Sequence, residues 1–121
     1  MPLATKTTSD EGFRGRVDRV SNQSAANTAM TVSVPSGQLR RLLFVTVKYS
    51  GAASVTVTTT LNSGVGAAFD TLLDSQLLSA ATDYLFIPGE ELLIVGDDAI
   101  DVLAPAVVGE TSAITIYTQV L

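Results

Sequence analysis

The strongest constraint on the fold of this chain is a repeated pattern of short β-type segments separated by turn residues. In residues 54–61 (SVTVTTTL) and 112–121 (SAITIYTQVL), a row of apolar side chains alternates with a more polar row. This period of two is typical of a strand with one buried face. Turn residues such as Pro35 and Gly37 interrupt the segments at intervals of about 8–12 residues, as in antiparallel sandwiches and barrels. We therefore predict an all-β fold, an antiparallel two-sheet sandwich that is jelly-roll-like and has about eight short strands.

The remaining segments are divided between strands, loops and one ambiguous region. The alternation predicts strands at residues 13–20, 29–35, 40–50, 54–61, 84–88, 91–95, 99–104 and 112–121. Residues 21–27 (SNQSAAN) predict a turn or loop. Residues 65–82 fit helical spacing and also short strands joined by a loop, and the break at Asp74 and Ser75 favours extended structure.

The chain corresponds to one domain preceded by a short arm. Hydrophobic residues make up 46% of the 121 residues and charged residues 16%, so the chain can bury a core. Residues 1–12 are polar and lack a period, and we predict that they form an N-terminal arm before a single domain at residues 13–121. The chain start has no apolar segment of the secretory type. The longest apolar runs span four residues, far short of the roughly 20 that a membrane helix needs.

The composition argues against most enzymatic chemistry. The chain has no Cys and no His, which removes disulfides, thiolate nucleophiles, the Ser-His-Asp triad and the commonest zinc ligands. The absence of Trp leaves little for base or sugar stacking, and a net charge of −5 argues against nucleic acid as the main partner. We therefore expect a non-enzymatic protein without a cofactor, a small-molecule substrate, a nucleic-acid partner or a membrane.

A cluster of acidic residues leaves two interpretations open. It comprises Glu90, Glu91, Asp97, Asp98 and Asp101. Oxygen ligands of this kind can bind calcium, but the spacing does not match a calcium-binding loop. In the other interpretation, which the spacing favours, the aspartates cap backbone groups in a β-turn. Paired carboxylates also serve glycoside hydrolysis, but that reaction needs a cleft for which short strands leave little room.

Charge is distributed unevenly along the sequence. Residues 1–48 carry all seven basic residues against three acidic ones, a balance of +4, whereas the rest carries nine acidic residues and no basic one. Either the folded sheets average this difference, or the particle has a basic side and an acidic side, which would direct docking. Five arginines are candidates for contact with phosphate or with a partner's carboxylates: Arg14, Arg16, Arg19, Arg40 and Arg41.

The segment 40–50 (RRLLFVTVKYS) has apolar residues on both faces. Simple alternation places Leu43 and Val45 on one face and Leu42 and Phe44 on the other. Two apolar faces suggest that one packs in the core and the other against a neighbour. We therefore add Leu42 and Phe44 to the expected partner contacts.

Several phrases of the sequence resemble small virion proteins of tailed bacteriophages. They are VTVKYSG, VTVTTTLNSG and FDTLL, followed by GDDAIDVLAPA and the closing ITIYTQVL, within residues 39–121. The resemblance implies a β-sandwich structural protein, most like a capsid decoration (cement) protein, often a homotrimer at local three-fold positions. The implied partners are the major capsid protein and sibling copies, on the outer surface of the phage head after synthesis in the host cytoplasm. No contact residues are implied, because no fixed binding motif is evident.

Other roles fit a sandwich of this kind. A phage neck, tail or head-fibre component would have a similar fold but few copies per particle. A receptor- or carbohydrate-binding module would need an exposed aromatic or polar pocket, and the chain has no Trp. A small hydrolase would need acidic catalytic residues, which an acid-to-Asn scan would reveal.

Overall fold

The structure is a computed structural model that describes residues 15–26, 28–35 and 39–121. This part of the chain contains nine strands and a 3-10 turn at Ala67–Phe69. The strands are β1 (Val17–Gln23), β2 (Met30–Pro35), β3 (Arg40–Ala53), β4 (Thr56–Asn62), β5 (Thr71–Leu77), β6 (Ala81–Phe86), β7 (Leu93–Ile94), β8 (Ala99–Ala104) and β9 (Ser112–Val120). Among these residues, no helix is long and apolar enough to cross a membrane. The predicted arm at residues 1–12 lies outside the described residues.

The strands form two antiparallel sheets. The first sheet has the order β1-β9-β3-β6, and the short β7 pairs with the start of β3. The second sheet has the order β2-β8-β4-β5. Every pairing is antiparallel. The predicted all-β, two-sheet architecture is confirmed.

The pairing of the strands is nested. β1 pairs with β9, β2 with β8, β3 with β6 and β4 with β5, like a long hairpin folded over into two layers. This order fits the jelly-roll-like arrangement predicted from the sequence, and the jelly-roll assignment itself stays a prediction. As a consequence of the nesting, the β4–β5 and β7–β8 connections lie at the same end of the sandwich as the start of β1 and the end of β9.

The core lies between the two sheets and follows the alternation of the strands. On β9, the side chains of Ile114, Ile116, Thr118 and Val120 point inward and are buried, as predicted. The buried apolar residues come from both sheets: Leu42, Val45, Val47, Tyr49, Ala53, Val57, Leu78, Tyr84, Ile94, Ile100, Val102, Ala104, Ile114 and Ile116. Because hydrophobic burial scales with the apolar area removed from water, this two-sided core is the main source of stability.

Two segments whose conformation was least certain from the sequence have different outcomes. β1 runs to Gln23, so part of the predicted loop at residues 21–27 is strand, because Ser21, Asn22 and Gln23 pair with β9. In the ambiguous region at residues 65–82, a 3-10 turn is followed by β5 and the start of β6. The extended interpretation of that region is confirmed.

A β-bulge breaks the alternation of β3. Tyr117 of β9 pairs with Phe44, but the next residue, Thr118, pairs with Leu42, so Leu43 is skipped. The side chain of Leu42 therefore points into the core, where it is 2% exposed. The prediction that Leu42 and Phe44 share a face is wrong, because one extra residue in a strand reverses the face of those before it.

Candidate interaction surface

An aromatic pair lies on the solvent side of the first sheet. Phe44 on β3 and Tyr117 on β9 are cross-strand partners, and their rings stack with centroids 4.2 Å apart and planes 25° apart. Both side chains are half-buried. Stacked aromatic pairs contribute about 0.5–1.5 kcal/mol beyond their burial, so the pair forms an ordered apolar centre on this face.

Further apolar side chains surround the aromatic pair. By register, Val17 lies beside Gln119 on β9, Leu85 beside Thr46 on β3, and Leu93 beside Arg41 on β3. All three apolar side chains are exposed. We call the outer face the set Val17, Arg19, Arg41, Phe44, Lys48, Leu85, Leu93 and Tyr117. Exposed apolar groups gathered on one face, unlike scattered single ones, are typical of protein-protein contact.

Basic residues frame the outer face. Arg19 is the partner of Tyr117 on β1, and Lys48 is in register with Asp83 on β6. Neither Arg19 nor Lys48 makes an ion pair with any residue that the structure describes. Arg41 pairs with Glu91 at 3.1 Å and also donates to Gln119. The outer face therefore combines an apolar centre with two cations that have no acidic partner within the described part of the domain.

The arginines predicted as partner contacts that the structure describes fall into two groups, those that pair with Asp18 inside the domain and those that lie on the outer face. The Arg40 side chain is only 14% exposed, and its Nη1 lies 2.6 Å from Asp18 Oδ2 and 3.2 Å from Thr118 Oγ1. Arg16 Nε lies 2.8 Å from Asp18 Oδ1. These hydrogen bonds, first from Arg40 and then from Arg16, hold the pKa of the Asp18 carboxyl below its usual value. Arg40 therefore serves mainly to join β1 to β3 across β9.

The other predicted contacts have different outcomes. Phe44, Arg19 and Arg41 lie on the outer face, where a partner would reach them. Leu42 belongs to the core and offers no surface to a partner, which corrects the expectation for that residue. Arg14 lies outside the described residues. Whether the accessible residues contact a capsid stays a prediction.

The acidic residues of the candidate cation site serve separate local structures. Asp98 Oδ1 accepts a hydrogen bond from the backbone N–H of Gly64 at 2.9 Å, and the Asp98 N–H donates to the Val95 carbonyl within a turn. Asp101 Oδ2 accepts from Asn62 Nδ2 at 3.0 Å. In the part of the chain that the structure describes, no three acidic residues are grouped so that they could hold a metal ion. The contacts of Asp98 are those of a residue that caps backbone groups in a turn.

A buried polar pair links the two sheets near their β5 and β6 edges. Thr59 Oγ1 on β4 and Tyr84 Oη on β6 lie 2.8 Å apart, and both side chains are fully buried. Burial raises the pKa of the Tyr84 hydroxyl above its usual value, and the nearby Asp74 carboxylate adds to the rise. Gln76 donates to Asp74 at 2.9 Å and to the Leu85 carbonyl of β6 at 3.0 Å. The pair and its neighbours fix the separation of the sheets rather than forming an accessible site.

Sequence reasoning missed several residues of the outer face. The alternation in residues 112–121 places Tyr117 in the more polar row, and an aromatic residue in such a row is a usable signal of a contact surface. Leu85, Leu93 and Val17 gave no such signal, because their position depends on which strands lie beside β3 and β9. Single exposed apolar residues are common on protein surfaces, so only the sheet order identifies these as a group.

Comparison with known proteins adds no family to this description. No protein-family model matches the chain, and no curated protein matches it either. The fold and surface define the class of protein: an all-β, two-sheet sandwich with an exposed apolar and basic face on one sheet.

Proposed function

We propose that this chain is a non-enzymatic structural protein of a tailed-bacteriophage particle, a decoration protein that cements the capsid. It would bind the major capsid protein lattice and sibling copies, as a homotrimer, on the outer surface of the head. The resemblance within residues 39–121 and the two-sheet sandwich support this proposal. The observation that carries it is the outer face, which combines an ordered aromatic pair with exposed aliphatic side chains and cations.

The properties of the outer face suit association rather than catalysis. Interface centres are rich in aromatic residues and Arg, and their rims are polar. Phe44 and Tyr117 supply the centre, and Arg19 and Lys48 supply charge at its margin. We assign this face to contacts between sibling copies, and we assign the polar N-terminal arm together with Arg14 to acidic patches on the shell. Many such contacts repeated by symmetry would add through multivalency, even where each is weak.

Reconstitution on particles tests the proposed function. Particles that lack this protein are incubated with the purified full-length chain, and bound protein is measured after sedimentation. We expect saturable binding, with a number of sites close to the number of major capsid proteins, that weakens as salt is raised. An unrelated acidic β-sandwich of similar size is the control. No binding of the chain above this control would contradict the proposal.

A further inference from the structure

Two connections at one end of the sandwich form an apolar projection. They are the β4–β5 connection, residues 63–70, and the β7–β8 connection, residues 95–98, and we call them together the knob. Three apolar side chains of the knob are exposed: Val65 at 78%, Phe69 at 65% and Val95 at 48%. One exposed Phe and two exposed Val lie together in adjoining loops. Exposed apolar residues grouped in this way are typical of a protein-protein contact site, whereas single exposed apolar residues are not.

The knob is held in shape by bonds within and between its two loops. The Gly64 N–H donates to Asp98 Oδ1 at 2.9 Å, and the Ser63 N–H donates to Asp70 Oδ1 at 2.8 Å. A Cβ at Gly64 would lie 2.6–3.0 Å from three atoms of Asp97, so the loops touch there. The 3-10 turn that carries Phe69 is closed by a bond from its N–H to the Gly66 carbonyl at 3.0 Å. A projection ordered before binding loses little conformational entropy when it docks.

The knob and the outer face are complementary in charge. Residues 63–70 and 95–98 contain three acidic residues, Asp70, Asp97 and Asp98, and no basic residue. The outer face carries Arg19 and Lys48, which lack ion pairs with the described residues, around apolar side chains. On the same side of the sheet, Asp83 lies in register with Lys48 and Glu91 pairs with Arg41, so the three cations of the outer face outnumber two nearby carboxylates. The outer face is therefore net positive and the knob net negative, and this difference favours one relative orientation.

A groove on the outer face has room for an aromatic side chain. It lies between β3 and β6, has a volume of about 290 Å³, and is lined by Thr46, Val47, Lys48, Asp83, Tyr84 and Leu85. The outer face points away from the second sheet, whereas the knob projects from the end where the second sheet's β4, β5 and β8 meet. The loop at residues 63–70 extends from the second sheet, so its Val65 and Phe69 would reach the outer face of another copy rather than their own.

We propose that the knob of one copy docks on the outer face of a second copy. Phe69 and Val65 would pack against the apolar centre of that face, with Asp70 and Asp97 near Arg19 and Lys48. The contact joins two different surfaces, so it is head-to-tail and closes into a ring when the rotation between copies allows. This inference rests on the sibling contacts of the proposed function and specifies the two surfaces that make them.

Sedimentation velocity of the full-length protein tests the inference. Two double variants each disrupt one of the two surfaces. The knob variant carries Val65→Ser and Phe69→Ser, and the face variant carries Arg19→Glu and Leu85→Ser. The control variants are Val108→Ser, whose side chain is 92% exposed outside both surfaces, and Thr56→Glu on β4. We expect the wild type and the control variants to sediment as oligomers, with a mass at least twice the 12.6 kDa of a single chain. We expect the knob and face variants to sediment as monomers, with self-association weakened at least about tenfold.

Mixing the two variants separates a head-to-tail contact from a symmetric one. Each variant retains one intact surface, so an equimolar mixture should form one-to-one pairs that neither variant forms alone. Unchanged melting temperatures would show that the variants fold, since the substituted side chains are exposed.

Three results would overturn the inference: a monomeric wild type, variants that retain the wild-type mass, or a mixture that stays monomeric. A monomeric wild type that still binds particles would overturn this inference and the proposed homotrimer, but it would leave the decoration role standing. Oligomers that fail to bind particles would overturn the proposed function alone.

Discussion

The carboxylate of Asp18 receives hydrogen bonds from Arg40 and Arg16, and Arg40 also donates to Thr118 Oγ1. Replacing Asp18 with Asn removes the charge while keeping the shape, and it leaves the largely buried Arg40 guanidinium without its carboxylate. We expect the free energy of unfolding at pH 7 to fall by about 2 kcal/mol, as for hydrogen bonds to charged groups. Urea denaturation measures this loss. Asp83→Asn, an exposed carboxylate without an ion pair to the described residues, should change stability by less than about 0.5 kcal/mol.

The effect of Asp18→Asn depends on pH with a defined sign. The pKa of Asp18 in the folded protein is below its ordinary value of 3.8. Its ion pairs therefore contribute fully above that ordinary pKa, and the contribution is lost as pH falls through the lowered pKa. The difference between wild type and variant should be constant from pH 7 to about pH 5 and narrow below pH 4. A gap that stays constant down to pH 2 would contradict the account of Asp18.

The buried hydroxyl pair of Thr59 and Tyr84 gives a second prediction at the residue scale. Thr59→Val leaves the Tyr84 hydroxyl buried without that partner, and we expect a loss of about 1–3 kcal/mol of unfolding free energy. Tyr84→Phe should cost a similar amount, and the double variant should cost less than the sum of the two. A double-mutant cycle in urea measures the coupling. Additive effects would show that the 2.8 Å contact does not stabilise the fold.

Which arginine pairs with which acid could not be predicted from the sequence. Asp18 and Arg40 are 22 residues apart and meet because β1 and β3 flank β9. The alternation of each strand was visible, but the neighbours of a strand depend on the order of the sheet. The sequence therefore identifies the basic residues as a group. It does not show which of them lie on the outer face and which lie in the domain interior.

At the scale of elements, β9 holds the first sheet together because it lies between β1 and β3. Deleting residues 118–121 removes buried Thr118 and Val120 and the bonds that join Val120 to Gly15 and Arg16. We expect a loss of at least about 3 kcal/mol of unfolding free energy, measured by thermal and urea unfolding. Deleting the exposed Leu121 alone should cost less than about 1 kcal/mol. Equal effects of the two truncations would contradict the assigned register of β9.

The contact between the two loops of the knob makes Gly64 sensitive to substitution. In Gly64→Ala the new Cβ would meet Asp97 atoms, two of them backbone, at 2.6–3.0 Å. The loops must then move apart, which we expect to cost about 1–3 kcal/mol of unfolding free energy. Gly89→Ala is the matched control, since a Cβ there meets nothing within 4 Å. A Gly64→Ala variant as stable as Gly89→Ala would show that the loops do not touch.

Strand alternation predicted the elements well where each strand has one buried face. β9 and β4 bury the predicted rows because their apolar residues recur every second position. β3 departs from its pattern at Leu43, since the bulge arises from pairing with β9. β1 extends into Ser21, Asn22 and Gln23 because backbone pairing with β9 outweighs their preference for loops. Departures therefore occur where a neighbouring strand, rather than the local sequence, sets the conformation.

At the scale of the whole molecule, the N-terminal region and the sandwich are expected to have separate roles. Residues 1–12 are polar and carry no alternation that would place them in the core. Deleting them should weaken binding to particles while leaving the melting temperature of the isolated protein unchanged. Calorimetry and particle sedimentation of the same sample measure both quantities. A lower melting temperature with unchanged attachment would assign these residues to the fold instead.

The charge asymmetry of the sequence becomes a property of the folded domain. The basic residues of the described strands lie on β1 and β3 of the first sheet, and β2, β4, β5 and β8 of the second sheet contain none. Together with the acidic knob, this arrangement gives each copy two unlike surfaces, as a head-to-tail contact requires.

The number of copies per particle tests the central claim most directly. The chain would be quantified against the major capsid protein in purified particles by mass spectrometry with labelled standard peptides. A decoration protein should be present in hundreds of copies, close to stoichiometric with the shell. A dozen or fewer would instead indicate a neck, tail or head-fibre component, and absence from purified particles would contradict a virion role altogether.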